Sequence, residues 1–401
     1  MSIKPKIRNN ICLNAHPAGC AREVENQIQY VKDKIASRGG IKQPLKAVLV
    51  LGCSTGYGLA SRITAAFGHG AATIGVSYEK PGAAHASGTP GWYNNLAFDR
   101  ASEQTGLPAV TINADAYSDT TRKLVIETAK QMGLKFDQVI YSLASPVRTD
   151  PDTGIMYRSV LKPIGKPYSG LTVDPMTGTL SVMGAEPATV EEAANTVKVM
   201  GGEDWERWIT WLLDADLLAP GCLTAAYSYI GPALSHPIYR DGTIGGAKKH
   251  LEATARRMKD LLAAKIGGSA FVSVNKGLVT RSSAVIPVIP LYLAVLFKIM
   301  KEQGSHEGCI EQIERLYSER ICTGGDVPVD SEGLIRIDDW EMDPKVQTIV
   351  DERMARINEH NLAELTDLDG YRHDFLAANG FDIPGVDYKA AVGRMDCLHD
   401  C

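Results

Sequence analysis

A chain of 401 residues, 44% hydrophobic and 22% charged, has the make-up of a globular protein with material for roughly two to three domains or one enlarged α/β domain. Its net charge of −5 and pI near 6 exclude a nucleic-acid binder of the usual kind, which carries a clustered basic excess, and leave Lys4, Lys6 and Arg8 as a solvated N-terminal face. Eight cysteines are too sparse for a disulfide scaffold, and Cys397, His399 and Cys401 near the C-terminus lack a fourth partner for a metal site, so no metal is expected.

No charged segment followed by an apolar leader opens the chain, so the cytoplasm is the expected compartment. The apolar run from Ala284 to Phe297 contains Pro287 and Pro290 and is shorter than the roughly 20 residues a bilayer requires. It reads as a buried segment or a cover over a site, with no membrane partner.

The run Ala47-Val48-Leu49-Val50-Leu51, closed by Gly52, predicts a buried parallel strand. A helix pattern follows from about Gly58 to Phe67, then strands over Ala71–Ser77 and Ala109–Asn113. Residues 81–96, rich in Pro, Gly, Ala and Asn, read as a long loop over the sheet edge. A helix is predicted from Ser118 to Met132, with Ser118 as cap and Asp119 in the acidic first turn, and a fourth strand over Gln138–Tyr141.

Between 146 and 223 the rhythm changes to a small hairpin, Leu171–Val173 with Thr179–Val182, and a helix carrying Trp205, Trp208 and Trp211. Those tryptophans sit at i, i+3 and i+6, the spacing of a packed helix face rather than a stacking platform. A strand over Cys222–Ile230, a helix over Ala247–Ile266 and a strand over Ala270–Val274 resume the pattern, and 300–401 looks mainly helical, including Asp343–Asn358. Alternating strands and helices predict an α/β fold: a Rossmann-type doubly wound parallel sheet with helices on both faces. We expect one enlarged domain over 1–401, with a nucleotide-binding core in 46–145 and 222–300, and a substrate-binding insertion (146–221) and a helical C-terminal region (301–401) added to it.

Gly52-Cys53-Ser54-Thr55-Gly56-Tyr57-Gly58 follows the first strand and opens a helix, the context in which glycines let backbone approach a pyrophosphate at a helix N-terminus. Tyr78 and Glu79 follow the second strand. A carboxylate there can accept from the adenosine ribose hydroxyls and repel a 2′-phosphate, which favours NADH over NADPH. Asp115 and Ala116 after the third strand, and Leu143 and Ala144 after the fourth, should face the same dinucleotide, Asp115 toward adenine and Leu143–Ala144 beneath a ribose.

Tyr239 and Lys248, separated by eight residues, are the phenol and ammonium that can stabilise an oxyanion while a nicotinamide delivers hydride. On one uninterrupted helix they would lie roughly 14 Å apart along the axis and on nearly opposite faces. Gly242, Gly245 and Gly246 are expected to break the chain so that a helix begins near Ala247. As a nearby cation, Lys248 is expected to lower the phenol's pKa. Tyr227 and Tyr229 are competing phenols that share one face of a presumed strand.

The glycine loop and the Tyr/Lys pair resemble the short-chain dehydrogenase/reductase superfamily, whose ordinary members have that pair one helical turn apart. The only Tyr-x3-Lys here, Tyr30 to Lys34, precedes the nucleotide loop. The expanded pair, the loop Leu51–Gly58 and the stretch Val274-Asn275-Lys276-Gly277-Leu278-Val279-Thr280-Arg281-Ser282-Ser283-Ala284-Val285-Ile286-Pro287 resemble a narrower family, the FabV-type enoyl-acyl carrier protein reductases, also known as trans-2-enoyl-CoA reductases. The similarity runs from Ala15-His16-Pro17 to Tyr371. It implies NADH-dependent saturation of the 2,3 double bond of an enoyl thioester of acyl carrier protein or coenzyme A, in fatty-acid elongation, by a monomer. It also implies that Tyr229 contacts the acyl substrate and that Leu278, Val279 and Thr280 line the nicotinamide pocket. Lys249, adjacent and of like charge, stands as a partial substitute for Lys248, and Ala284–Phe297 as an apolar wall over the acyl chain. A ketone or alcohol dehydrogenase on the same fold, or a non-catalytic NADH sensor, are the alternatives.

Overall fold

A computed structural model describes residues 3–8, 11–83, 86–280 and 288–390. Seven parallel strands form one sheet: β1 (Ala47–Leu51), β2 (Ala72–Ser77), β3 (Ala109–Asn113), β4 (Phe136–Tyr141), β5 (Leu218–Ser228), β6 (Ser269–Val274) and β7 (Ile335–Arg336). Their spatial order is β7-β6-β5-β4-β1-β2-β3. The direction of winding reverses between β1 and β4, so the crevice at their carboxyl ends is where a doubly wound sheet binds its ligand.

Around the sheet lie α1 (Pro17–Ser37), α2 (Gly56–Ile63), α3 (Pro90–Thr105), α4 (Asp119–Gln131), α5 (Val190–Met200), α6 (Glu203–Asp214), α7 (Thr243–Ile266), α8 (Ile289–Glu302), α9 (Cys309–Leu316), α10 (Pro344–Arg356), α11 (Leu362–Leu365) and α12 (Leu368–Ala377). All five residues of β1 are buried, and the period-two geometry of a strand divides them between the two layers. Leu49 and Leu51 pack with Val125 of α4, Trp205 and Trp208 of α6, and Met258 and Leu262 of α7. Val48 and Val50 pack with Val31 of α1, Leu59 and Ile63 of α2, and Ile313 and Leu316 of α9. A third core gathers around α8, buried on every side from Ile289 to Phe297, against α10, α11, α12 and the hairpin residue Val173.

Several expected elements appear with little change. Ser118 caps α4 by accepting from Thr121 N, the hairpin pairs Tyr168–Asp174 with Thr179–Ala185, and Asp343 caps α10. Trp205 and Trp208 are buried, their indole N–H groups donating to Thr224 Oγ1 and Ala116 O, so that helix face is a packed one.

Four differences have physical causes. The loop expected over 81–96 gives way at Pro90 to α3: proline is pre-set for the first helical position, and Asn94 and Asn95, loop formers in isolation, are buried and donate to Ser54 O and Ser77 Oγ. β5 starts at Leu218, before Cys222, because its register against β4 shifts between Leu218 and Leu223 near Pro220 and left-handed Gly221. α7 begins at Thr243 rather than near Ala247, for reasons given with the site. The sheet gains β7 from within 301–401, a region expected to be purely an addition. The start of the apolar run, Ala284–Pro287, lies outside the described residues, as do Ala84 and His85 of the loop and Cys397, His399 and Cys401. Among the described residues no helix is long and apolar enough to cross a membrane.

Candidate active site

The loop after β1 is folded onto itself by its glycines. Gly52 sits at φ +87°, and a Cβ there would lie 2.2 Å from Ser142 O at the end of β4. A Cβ on Gly58 would lie 1.8 Å from Gly52 O, so the first turn of α2 closes on the loop only because both residues lack side chains. Gly56 faces open space, and Thr55 makes no side-chain cap, which leaves the N–H groups of α2 directed at that space. The loop's larger side chains turn inward. Cys53 is buried beside Asn95 and Arg62, and burial pushes its thiol pKa up. Tyr57 Oη donates to Lys276 O at 2.7 Å, bracing the loop against the end of β6.

The other strand ends meet the same crevice. Glu79 Oε1 accepts from Ser54 Oγ at 2.7 Å, its backbone N–H donates to Asn113 Oδ1, and Gly91 leaves room for its carboxylate, since a Cβ there would approach Oε1 to 2.2 Å. Tyr78 beside it is 79% exposed. Asp115 Oδ1 accepts from Tyr117 N, holding a tight turn, while Ala116 is buried with its carbonyl on Trp208. Ser142 N donates to Leu51 O, which sets Leu143, half-buried, and Ala144, exposed, directly below the crevice.

At the far side, Tyr239 lies in a turn that doubles back over the start of α7. Gly242 is the helix cap, and both Gly242 N and Gly245 N donate to Tyr239 O. Gly245 is inside the helix, where a Cβ would lie 1.8 Å from Arg240 O. Its role is therefore close approach between turn and helix, and only Gly242 marks the boundary. Thr243 N donates to Lys162 O, which seats the helix start on the 146–221 insertion.

Both members of the pair reach the carboxyl end of β5. Lys248 Nζ donates to Tyr227 O at 3.2 Å, and the rings of Tyr229 and Tyr239 meet edge-on with centroids 5.4 Å apart. Burial raises the Tyr239 phenol to about 12 and lowers the Lys248 amine to about 8, Glu252 opposing the latter. The expected lowering of the phenol by Lys248 does not appear: desolvation governs Tyr239, so its proton stays on. The competing phenols are occupied, Tyr227 with Ser61 Oγ at 2.6 Å and Tyr229 with Glu341 Oε1 at 3.1 Å, whereas Tyr239 Oη has no hydrogen-bond partner among the described residues. Lys249 is exposed, one residue further round α7, and does not share the position of Lys248. Leu278 is buried and Val279 and Thr280 half-buried just beyond β6.

Sequence reasoning missed Glu341, Tyr292 and the environment of Lys276. Lys276 is buried with its amine 4.6 Å from the Phe297 ring centroid, and burial lowers its pKa to about 8. No local pattern marks Glu341, because the partners of its carboxylate are more than 40 residues away in the chain.

Family models match most of the chain: a "trans-2-enoyl-CoA reductase catalytic region" over residues 86–322, an "NAD(P)H binding domain of trans-2-enoyl-CoA reductase" over 2–84 and an "enoyl reductase FAD binding domain" over 329–392. The trans-2-enoyl-CoA reductase [NADH] of Treponema denticola is 63% identical over 99% of this chain and 100% of its own. The enoyl-[acyl-carrier-protein] reductase [NADH] of Flavobacterium johnsoniae is 54% identical over 98% of both. A crystal structure of the Treponema denticola enzyme in complex with NAD superposes with a TM-score of 0.96, at 62% identity and full coverage of both chains.

The glycine loop and Glu79 fit a dinucleotide, whereas residues 329–392 do not fit a flavin. Among the described residues their only strand is two residues long and runs into Ile337 and Asp338 rather than a glycine turn, and α10, α11 and α12 spend their apolar faces on α8. The segment is a buttress.

Proposed function

This chain belongs to the trans-2-enoyl-CoA reductase family, and we propose that it reduces the 2,3 double bond of a trans-2-enoyl thioester, of coenzyme A or acyl carrier protein, with NADH. The observation that carries this reading is the phenol of Tyr239, which has no hydrogen-bond partner among the described residues and packs edge-on against Tyr229 just beyond β5, where the amine of half-buried Lys248 also reaches.

Bound NADH supplies the hydride that adds to the β-carbon. The residues must then meet the charge that moves onto the thioester oxygen, and a donor fixed before the reaction does this best. Tyr239, kept neutral by burial, donates its hydroxyl proton to that oxygen, by hydrogen bond or by transfer. Lys248 holds the nicotinamide ribose hydroxyls. The backbone from Gly52 through Cys53, Ser54, Thr55, Gly56 and Tyr57 to Gly58 takes the pyrophosphate. Tyr78 and Glu79 take the adenosine ribose, Asp115 and Ala116 the adenine, Leu143 and Ala144 the second ribose, and Leu278, Val279 and Thr280 the nicotinamide. Tyr229 contacts the acyl group.

We read the chain as one enlarged Rossmann domain with its nucleotide-binding core in 46–145 and 222–300. We place it in fatty-acid biosynthesis, a reading supported by the acyl-carrier-protein substrate in its relatives' names, and propose further that it is a cytoplasmic monomer, tested by a solution mass of 43.3 kDa. Purified protein mixed with NADH and crotonyl-CoA should lose NADH absorbance and yield butyryl-CoA in equal amount. Absence of oxidation with every enoyl thioester tried would overturn the assignment.

A further inference from the structure

We propose that Glu341 is a positioning residue for this reaction, holding Tyr229 against Tyr239 and fixing the backbone at Gly277 from which Leu278–Thr280 depart. The proposal rests on the enoyl-reductase reading above.

Glu341 is fully buried, and donors from three separate segments converge on its carboxylate. Oε1 accepts from Tyr229 Oη at 3.1 Å and from Tyr292 Oη of α8 at 2.6 Å, while Oε2 accepts from Gly277 N at 2.6 Å. Gln347 Nε2 then binds the Glu341 carbonyl at 2.7 Å and reaches Tyr292 Oη at 3.2 Å. A buried carboxylate is expensive unless its lone pairs are filled, and here they are filled by groups that have other work.

Two of those groups are walls of the site. The Tyr229 ring is edge-on to the Tyr239 ring at 68°, and it is slotted between two glycines. A Cβ on Gly231 would lie 2.7 Å from Tyr229 Oη, and one on Gly277 would lie 3.0 Å from it. With its ring held in that slot and its hydroxyl tethered, Tyr229 has little freedom to rotate, and Tyr239 leans on it. The second wall is the chain at Gly277, directly before Leu278. One carboxylate therefore sets the distance between the side that donates to the thioester oxygen and the side that lines the nicotinamide.

Glutamine does not replace it. Its amide offers one acceptor oxygen in place of two, so either the tyrosines or Gly277 N would face an NH2 group. The loss falls on orientation, where misplacement by about 1 Å costs on the order of 100-fold in rate. Tyr292 is the internal control, because it shares Oε1 yet stands on α8, and among the described residues no ring contact or hydrogen bond joins it to Tyr239.

The test compares Glu341→Gln, Tyr229→Phe, their double variant and Tyr292→Phe with wild type, measuring kcat with crotonyl-CoA, NADH affinity by titration, and melting temperature. Glu341→Gln should lower kcat about 10-fold or more with NADH affinity within about twofold of wild type, and the double variant should be no slower than the slower single, since both remove one tether. Tyr292→Phe should stay within about threefold of wild-type kcat. Wild-type kcat in Glu341→Gln, or losses that multiply in the double variant, would overturn the proposal. If Glu341→Gln does not fold, the contrast between Tyr229→Phe and Tyr292→Phe decides, and equal kcat in those two overturns it. An inactive wild type would instead overturn the underlying reading.

Discussion

Replacing Gly58 by alanine adds a single methyl group at the tightest point of the nucleotide loop. The new Cβ would lie 1.8 Å from Gly52 O, 2.9 Å from Gly52 C and 3.2 Å from Ser142 Oγ. The first two are backbone atoms, so no side chain can rotate out of the way, and Gly52 must retreat by at least about 1.2 Å to reach a tolerable contact. That retreat is hindered in turn by Ser142 O, which lies only 2.2 Å from where a Gly52 Cβ would be. Overpacking of this kind costs about 1–3 kcal/mol. The affected N–H groups are those that would bind the pyrophosphate, so most of the cost should appear as lost NADH affinity, about 10- to 100-fold on the usual conversion of 1.4 kcal/mol per decade. Isothermal titration with NADH measures it directly. Gly106→Ala is the control: Gly106 is left-handed, at φ +68°, unlike Gly58, but its Cβ meets open space at the end of α3. It should lose about 1 kcal/mol of stability with unchanged NADH affinity. Wild-type NADH affinity in Gly58→Ala would refute the argument that this glycine shapes the cofactor loop.

Glu79→Gln keeps the size of the side chain and its acceptor for Ser54 Oγ while removing the charge. The ratio of kcat/KM for NADH over NADPH should fall about tenfold, and an unchanged ratio would make Glu79 an ordinary surface carboxylate. Burial lowers Lys248 to about 8, so kcat/KM for NADH, which reports the free enzyme, should decline as the pH rises through 8 and the ammonium is lost. In Lys248→Arg that alkaline limb should vanish, because a guanidinium stays charged. A limb that persists at pH 8 in this variant would shift the titration to Lys276, whose amine is lowered to the same range. Asp343→Ala should cost about 1 kcal/mol through loss of the α10 cap, with kcat unchanged; chemical denaturation checks the first and turnover the second.

The sheet was most legible where its strands are buried on both faces, as in Ala47–Leu51 and Ala72–Ser77; the first is an apolar run closed by Gly52, and local pattern suffices to find it. α3 was not legible, because Asn94 and Asn95 are loop formers until Ser54 O and Ser77 Oγ are brought to them by the fold. Gly245 misled for a related reason: a glycine serves close packing inside a helix as readily as it breaks one, and only the nearness of Arg240 O tells which. The site shows the same divide. Gly52 and Glu79 stand directly after strands, and Tyr239 and Lys248 lie in a glycine-marked turn and the helix it opens, all local signals, whereas Glu341 matters through partners in β5's end, the 277 loop and α8, none within 40 residues of it.

The central claim is that the Tyr239 hydroxyl, without a hydrogen-bond partner among the described residues, meets the negative charge formed as hydride adds to the enoyl group. Tyr239→Phe removes one oxygen and leaves the ring against Tyr229. Single-turnover oxidation of bound NADH by crotonyl-CoA should slow by about 100- to 1,000-fold, the usual cost of one oxyanion donor, with NADH affinity unchanged. A Tyr239→Phe enzyme that oxidises bound NADH at the wild-type rate would contradict the account.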